Sequence, residues 1–254
     1  LQHSGQLDVI CMLSLSEKLL LTPWCLRQGI RVIWVEHDPI GRWLWWNPWR
    51  LLLQRFSSSV TTICVSESAK RDYDALGYSP EHICVIPNGV PSAEPNPVAE
   101  SPKTLRIGTI ARLAHEKGVD ILLEALRPLE GVSLSIVGKG REEASVKRMI
   151  EEDVLETGQK RITLTASLPS LEAWYQSIDV LVLPSRTDPF GLVVAEAMMR
   201  GIPVLVTDRC GVADVLTHAY DALIVKSACP HALSKALCHL KDPLLRQTLS
   251  THGD

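Results

Sequence analysis

Two carboxylates eight residues apart, Asp188 and Glu196, stand either side of Phe190-Gly191 in the stretch Asp179–Val206, DVLVLPSRTDPFGLVVAEAMMRGIPVLV. The stretch reads as a strand (Val180 to Leu183), a breaker (Pro184-Ser185), a polar loop, a helix from Leu192 to about Arg200 closed by Gly201, and a second strand from Pro203. Ligands of parallel sheets sit at the carboxyl ends of strands, where the loop after Pro184 falls. Gly191 lets backbone approach a ligand closely. The unpaired N–H groups of the helix start, Gly191 to Val193, suit a phosphate. Glu196 has Leu192, Val193, Val194, Ala195, Ala197 and Met198 around it in sequence. A carboxylate there is costly to bury without hydrogen-bond partners. Sugar hydroxyls would serve; so would backbone groups or an arginine.

Other candidates fall at the ends of other strands. Arg112 and Lys117 lie in the polar loop Ala111–Gly118, between a strand at Leu105–Ile110 and a helix that begins near Val119. Two cations there suit a diphosphate, arginine through its planar fork and lysine as a point charge; a merely solvated loop is the plainer alternative. Gly138-Lys139-Gly140 follows the strand Val132–Val137. Glu143 stands where a dinucleotide fingerprint needs a third glycine, so the pair Gly138 and Gly140 signals close backbone approach and speaks against a nicotinamide oxidoreductase. His37 ends the run Arg31–Val35-Glu36, where a site could form, although a lone histidine is more often structural. No metal-binding Asp-x-Asp motif is expected in the chain, and no required metal with it.

Around these residues the chain alternates short β-rich runs with helical patterns over 254 residues. Hydrophobic content of 46% is enough for a sizeable core, and a net charge of −3 gives no basic field for nucleic acid. Seven scattered cysteines without a CxxC argue for a reducing compartment; Cys11, Cys64 and Cys84 read as small core residues. Composition changes at Pro87, with prolines at 87, 91, 95, 97 and 102, so residues 91–103 are expected to be a linker between domains at 1–90 and 104–254. The segment GRWLWWNPWR holds Trp43, Trp45, Trp46 and Trp49 beside Arg42 and Arg50. It fits a membrane interface or a sugar-binding face, and equally a packed loop.

Several ordered motifs resemble retaining GT-B glycosyltransferases of family 4, also called glycosyltransferase group 1. GTIARLAHEKGVDILLEAL, SIVGKGREE and the Asp179–Val206 stretch resemble that family's C-terminal domain, and VIPNGV its domain junction. WVEHD and ICVSESAKRDYDALG match the second half of its N-terminal domain more loosely. The resemblance implies an α/β chain of GT-B architecture: two Rossmann-like parallel-sheet domains, the first an incomplete acceptor-side domain, the second binding the nucleotide sugar. It implies transfer of a hexose from a UDP-, GDP- or ADP-sugar with retention of configuration. Arg112 and Lys117 would bind the pyrophosphate, Glu196 the ribose and Asp188 the transferred sugar. Phe190, Gly191, Leu192, Val193, Gly138 and Gly140 would surround the donor, and His37 would lie beside its sugar. Asp188 departs from the usual glutamate, and the family's glycine-rich loop after the first strand and its crossing C-terminal helix are missing. A chain truncated at both ends is therefore expected, with a catalytically weak or inactive nucleotide-sugar-binding fragment as the alternative. The acceptor stays open. The tryptophans suggest a lipid-linked one and peripheral membrane contact, with a cytoplasmic location at the inner face of the membrane.

Overall fold

The computed structural model describes residues 7–37, 42–96 and 104–253, with backbone alone at Arg42 and Trp43. Asp38 and residues 97–103 of the expected linker lie outside the described residues. The chain divides into two units between Asn88 and Gly89.

In the first unit β-branched runs form four strands, β1 (Val9–Met12), β2 (Arg31–Glu36), β3 (Thr61–Cys64) and β4 (Ile83–Val85), all parallel and adjacent in sequence order. The helices between them are α1 (Leu15–Arg27), α2 (Arg42–Trp45), α3 (Trp49–Ser57) and α4 (Glu67–Leu76). Ser14 and Glu17 cap α1 reciprocally, and the Ser66 hydroxyl accepts from the Ala69 N–H to start α4. Trp34, Leu53, Cys64, Tyr73 and Leu76 meet in the core. Cys64 is buried as expected, whereas Cys11 and Cys84 are exposed, because β1 and β4 are the edges of this sheet. The tryptophan segment is only partly a loop: Trp43 and Trp45 lie in α2, Trp49 opens α3, and Trp46 sits in the turn between them.

The described residues of the second unit form six parallel strands: β5 (Leu105–Ile110), β6 (Val132–Val137), β7 (Ile162–Thr165), β8 (Val180–Leu183), β9 (Val204–Thr207) and β10 (Leu223–Val225). Its helices are α5 (Val119–Leu126), α6 (Glu143–Thr157), α7 (Glu172–Gln176), α8 (Leu192–Met198), α9 (Pro230–His239) and α10 (Pro243–His252). β8 and β9 are buried along their whole length, as apolar strands covered on both faces must be. The spatial order is β10-β9-β8-β5-β6-β7. The chain winds one way from β5 and then the other, so the order reverses between β5 and β8. A doubly wound sheet opens a crevice at that switch point.

α6 runs as far as Thr157. Its last turns are held by the buried pair Asp153–Arg161 at 2.6 Å, a partner across the fold that periodicity does not reveal. The last described helix is α10. Asp242 caps it by accepting from the Leu244 N–H, and Pro243 takes its first position.

Candidate functional site

β5 pairs with β6 through Ile110, but with β8 only at Ile107–Val180 and Gly108–Leu181. Beyond Gly108 the two strands part, and a cleft of about 550 Å³ opens at their carboxyl ends. The loop after β5 supplies Arg112 and Lys117 to its wall, the loop after β6 supplies Gly138 and Lys139, and the loop after β8 supplies Asp188 and Gly191. Leu192 and Val193 enter from the first turn of α8; Ser167, Leu168 and Leu171 close another side.

Hydrogen bonds lock these loops to one another. The Arg186 and Thr187 N–H groups both donate to the Glu116 carbonyl, at 2.8 and 3.2 Å. The Arg186 guanidinium holds both oxygens of Asp120 at 2.8 and 2.7 Å and also reaches the His115 carbonyl. Burial pushes the Asp120 carboxyl up, but the Arg186 bonds outweigh it and leave it below its ordinary range. On the far side the Asp188 N–H donates to the Arg209 carbonyl and Gly211 donates back to the Asp188 carbonyl. The acidic loop is thus clamped between the loops after β5 and β9.

The charges inside the clamp are paired. Lys117 Nζ lies 2.6 Å from Asp188 Oδ2, with both side chains largely buried. An ammonium has three donors and a carboxylate about four acceptor positions, so each retains capacity for a ligand. The Arg112 side chain is 70% exposed and touches Glu116 at 3.3 Å. Glu116 is also met by Arg141 at 3.0 Å. Its carboxyl sits below the usual range, first through its own backbone N–H and then through Arg141 and Arg112.

Of the residues singled out in the sequence, Arg112, Lys117, Gly138, Asp188, Gly191, Leu192 and Val193 line the one cleft. Gly140, Phe190 and Glu196 do not. The two glycines of the β6 loop serve protein packing: a Cβ on Gly138 would stand 1.9 Å from the Ala111 carbonyl oxygen, and one on Gly140 2.3 Å from that of Leu113. Gly191 has φ +94° and caps α8, a conformation side-chain-bearing residues avoid. Phe190 is buried and its carbonyl accepts from Val212. Glu196 lies one turn into α8, on the same side as Leu192. Its Oε2 accepts from the Tyr175 hydroxyl at 2.7 Å, rather than from an arginine or backbone. The Arg200 guanidinium stacks on that tyrosine ring, 4.6 Å from its centroid. His37 is exposed at the end of β2, in the first unit.

Lys139, Ser167 and Leu168 were missed as wall residues. Lys139 lay between the two glycines and was readable; the loop after β7 carries no charge or glycine to mark it. The triplet Asp72-Tyr73-Asp74 has Asp-x-Asp spacing but lies inside α4, with Tyr73 buried and Asp74 paired to Lys70 at 3.0 Å. No group of three or more metal-ligating side chains is assembled among the described residues. Among them, too, no helix is long and apolar enough to cross a membrane.

Two parallel α/β sheets in succession, the second doubly wound around this crevice, define the GT-B architecture. HepE of Anabaena, solved in complex with UDP and glucose, superposes with a TM-score of 0.81 at 17% identity, over 97% of this chain and 72% of that one. Sucrose-phosphate synthase from Thermosynechococcus elongatus gives 0.76 at 23% identity, over 97% and 67%. The model of the family "Glycosyl transferases group 1" matches residues 93–252, and that of "Glycosyltransferase Family 4" matches residues 2–94. The chain belongs to the group 1 glycosyl transferases. Curated relatives include the lipopolysaccharide core biosynthesis mannosyltransferase LpcC of Rhizobium leguminosarum bv. viciae, 27% identical over 55% of this chain and 42% of the relative. The GPI3 subunit of phosphatidylinositol N-acetylglucosaminyltransferase of Saccharomyces cerevisiae is 28% identical over 75% of this chain and 45% of its own. The chain spans less than half the length of either.

Proposed function

We propose that the chain carries the donor site of a glycosyltransferase that moves a hexose from a nucleotide diphosphate sugar to an acceptor with retention at the anomeric carbon. The observation that carries this reading is the convergence of Arg112, Lys117, Lys139 and the start of α8 on one cleft at the switch point of a doubly wound sheet. When the bond from the sugar to the diphosphate breaks, negative charge builds on the leaving group. Lys117 and the free N–H groups of Leu192 and Val193 stabilise that charge without reorganising, and the exposed Arg112 and Lys139 add positive charge beside them. Lys117 is oriented for this by Asp188. The free acceptor positions of Asp188 meet hydroxyls of the transferred sugar. Glu196, oriented by Tyr175, receives the ribose hydroxyls. His37 of the first unit is proposed to lie beside the donor sugar on the strength of the family resemblance alone.

Loss of one such electrostatic donor costs about 3 kcal/mol, so Arg112→Ala and Lys117→Ala should each lower turnover roughly a hundredfold. Full activity in both variants would refute the charge argument. UDP, GDP and ADP, compared by thermal stabilisation, identify the base. The anomeric signal of the product in NMR decides retention. Transfer is proposed to need no metal, so chelator should leave the rate unchanged. Binding of nucleotide without donor hydrolysis or transfer would favour the alternative of an inactive binding module. A lipid-linked acceptor is suggested by the tryptophan segment and by no feature of the second unit.

A further inference from the structure

α3 is already docked by one face. Leu53 and Ser57 are buried, and Arg50 Nε and Gln54 Nε2 donate to the Leu76 carbonyl at the end of α4. Its other face nevertheless carries large apolar side chains. Leu51 is 71% exposed and Trp49 51%, and Trp46, just before the helix, is 91% exposed. Pro48, Trp49, Leu51, Leu52 and Arg55 surround an open apolar groove. Soluble helices normally put polar residues there. The charge of the segment is as one-sided as its hydrophobicity. Residues 39–66 hold Arg42, Arg50 and Arg55 and no aspartate or glutamate, a formal +3 in a chain whose net charge is −3.

We infer that the outer face of α3, with Trp46 and Trp49 at its start, is a docking surface for an anionic lipid bilayer. Tryptophan rings are amphipathic and settle at the level of lipid headgroups. The leucines on the same face reach the acyl boundary, as in helices that lie in the interface. Arg55, exposed at the rim of the groove, meets the headgroup phosphates, and no carboxylate within residues 39–66 offsets its charge. Arg50 has a second duty. Its guanidinium lies over the Trp45 ring, 5.3 Å from the centroid, which fixes the tryptophan segment against α3. The surface belongs to the first unit alone and is independent of what the cleft in the second unit binds.

The test is co-sedimentation of the full chain with phosphatidylcholine vesicles, with and without phosphatidylglycerol. Binding is expected only to the anionic vesicles, weakening as salt rises. Trp46→Ala and Leu51→Ala should each weaken it roughly tenfold. Arg55→Gln should cost about fivefold. Because these side chains are exposed, circular dichroism and the nucleotide-induced thermal shift should stay as in the parent chain. No sedimentation with anionic vesicles overturns the inference. So does equal binding to neutral vesicles, or binding that survives Trp46→Ala and Leu51→Ala. A concentration-dependent dimer of the lipid-free chain, abolished by Trp46→Ala, would also overturn it, assigning the face to a second copy. Loss of the nucleotide shift in the parent chain would instead strike the proposed function and leave this inference standing.

Discussion

Glu196 could be read from its sequence neighbours because a carboxylate among apolar residues demands an explanation. Tyr175 could not. It shares helical spacing with Trp174 and Ile178, and that pattern reads as core; its ring is in fact 1% exposed. Only its hydroxyl serves the carboxylate, and periodicity says nothing about one polar atom on a buried ring. Burial, reinforced by Glu196, pushes the Tyr175 hydroxyl far above its ordinary range, so it stays a donor at any working pH. Tyr175→Phe removes a hydrogen bond to a charged group and should cost about 1.5–3 kcal/mol in urea unfolding. It should also weaken nucleotide binding in calorimetry, in the same direction as Glu196→Gln. Unchanged stability and affinity in Tyr175→Phe would mean that the 2.7 Å bond orients nothing. Cys210 makes a second test at this scale. Burial raises its thiol to about 11 and it is enclosed beneath the acidic loop, whereas Cys11, Cys84 and Cys238 are exposed. Alkylation near neutral pH, followed by mass spectrometry, should label those three and spare Cys210; early labelling of Cys210 would show that the loop opens readily.

Strands and helices of the second unit were largely legible because their signals are local: β5, α5, β6 and β8 begin and end at the residues where the apolar runs do. What was not legible depends on partners distant in sequence. Asp153 is carried to Arg161 by the last turns of α6, and Arg186 closes on Asp120 across 66 residues. The latter pair, with the two N–H groups that share the Glu116 carbonyl, holds the acidic loop against the loop of Arg112 and Lys117. Arg186→Ala should therefore weaken nucleotide affinity through lost positioning, although Arg186 is not on the cleft wall. An unchanged dissociation constant would show that the backbone bonds alone suffice. The sign of the pH effect follows from Asp120. Its carboxyl is depressed below the ordinary 3.8, so the clamp is fully stabilising above that pH and is lost as pH falls through the lowered value. Acid unfolding should consequently be shallower in Asp120→Asn than in the parent below about pH 4. Identical acid profiles would place the acid sensitivity elsewhere.

At the scale of the whole chain the two units meet between Asn88 and Gly89, where the proline-rich composition had led to the expectation of a linker at 91–103. Each unit has an apolar core among its described residues. One gathers Met12, Trp34, Leu53 and Leu76 from the first unit; the other gathers Ile107, Leu122, Leu134 and Leu237 from the second. Cores that share no residue are expected to melt as separate transitions. The cleft residues that are described all belong to the second unit. A nucleotide that binds only the folded cleft stabilises by mass action, about 2.7 kcal/mol at a hundred times its dissociation constant. For a unit of this size that amounts to a rise of roughly 5–10 °C in melting temperature. Scanning calorimetry with increasing UDP should therefore move one transition upward in proportion to the logarithm of concentration and leave the other in place. Hydrogen exchange assigns the two. Added protection should fall in the loops after β5, β6, β8 and β9, and the amides of β1 to β4 should exchange as before. If both transitions climb together, or protection spreads evenly over β1 to β4, the first unit takes part in holding the nucleotide and the donor site is not the property of the second unit alone.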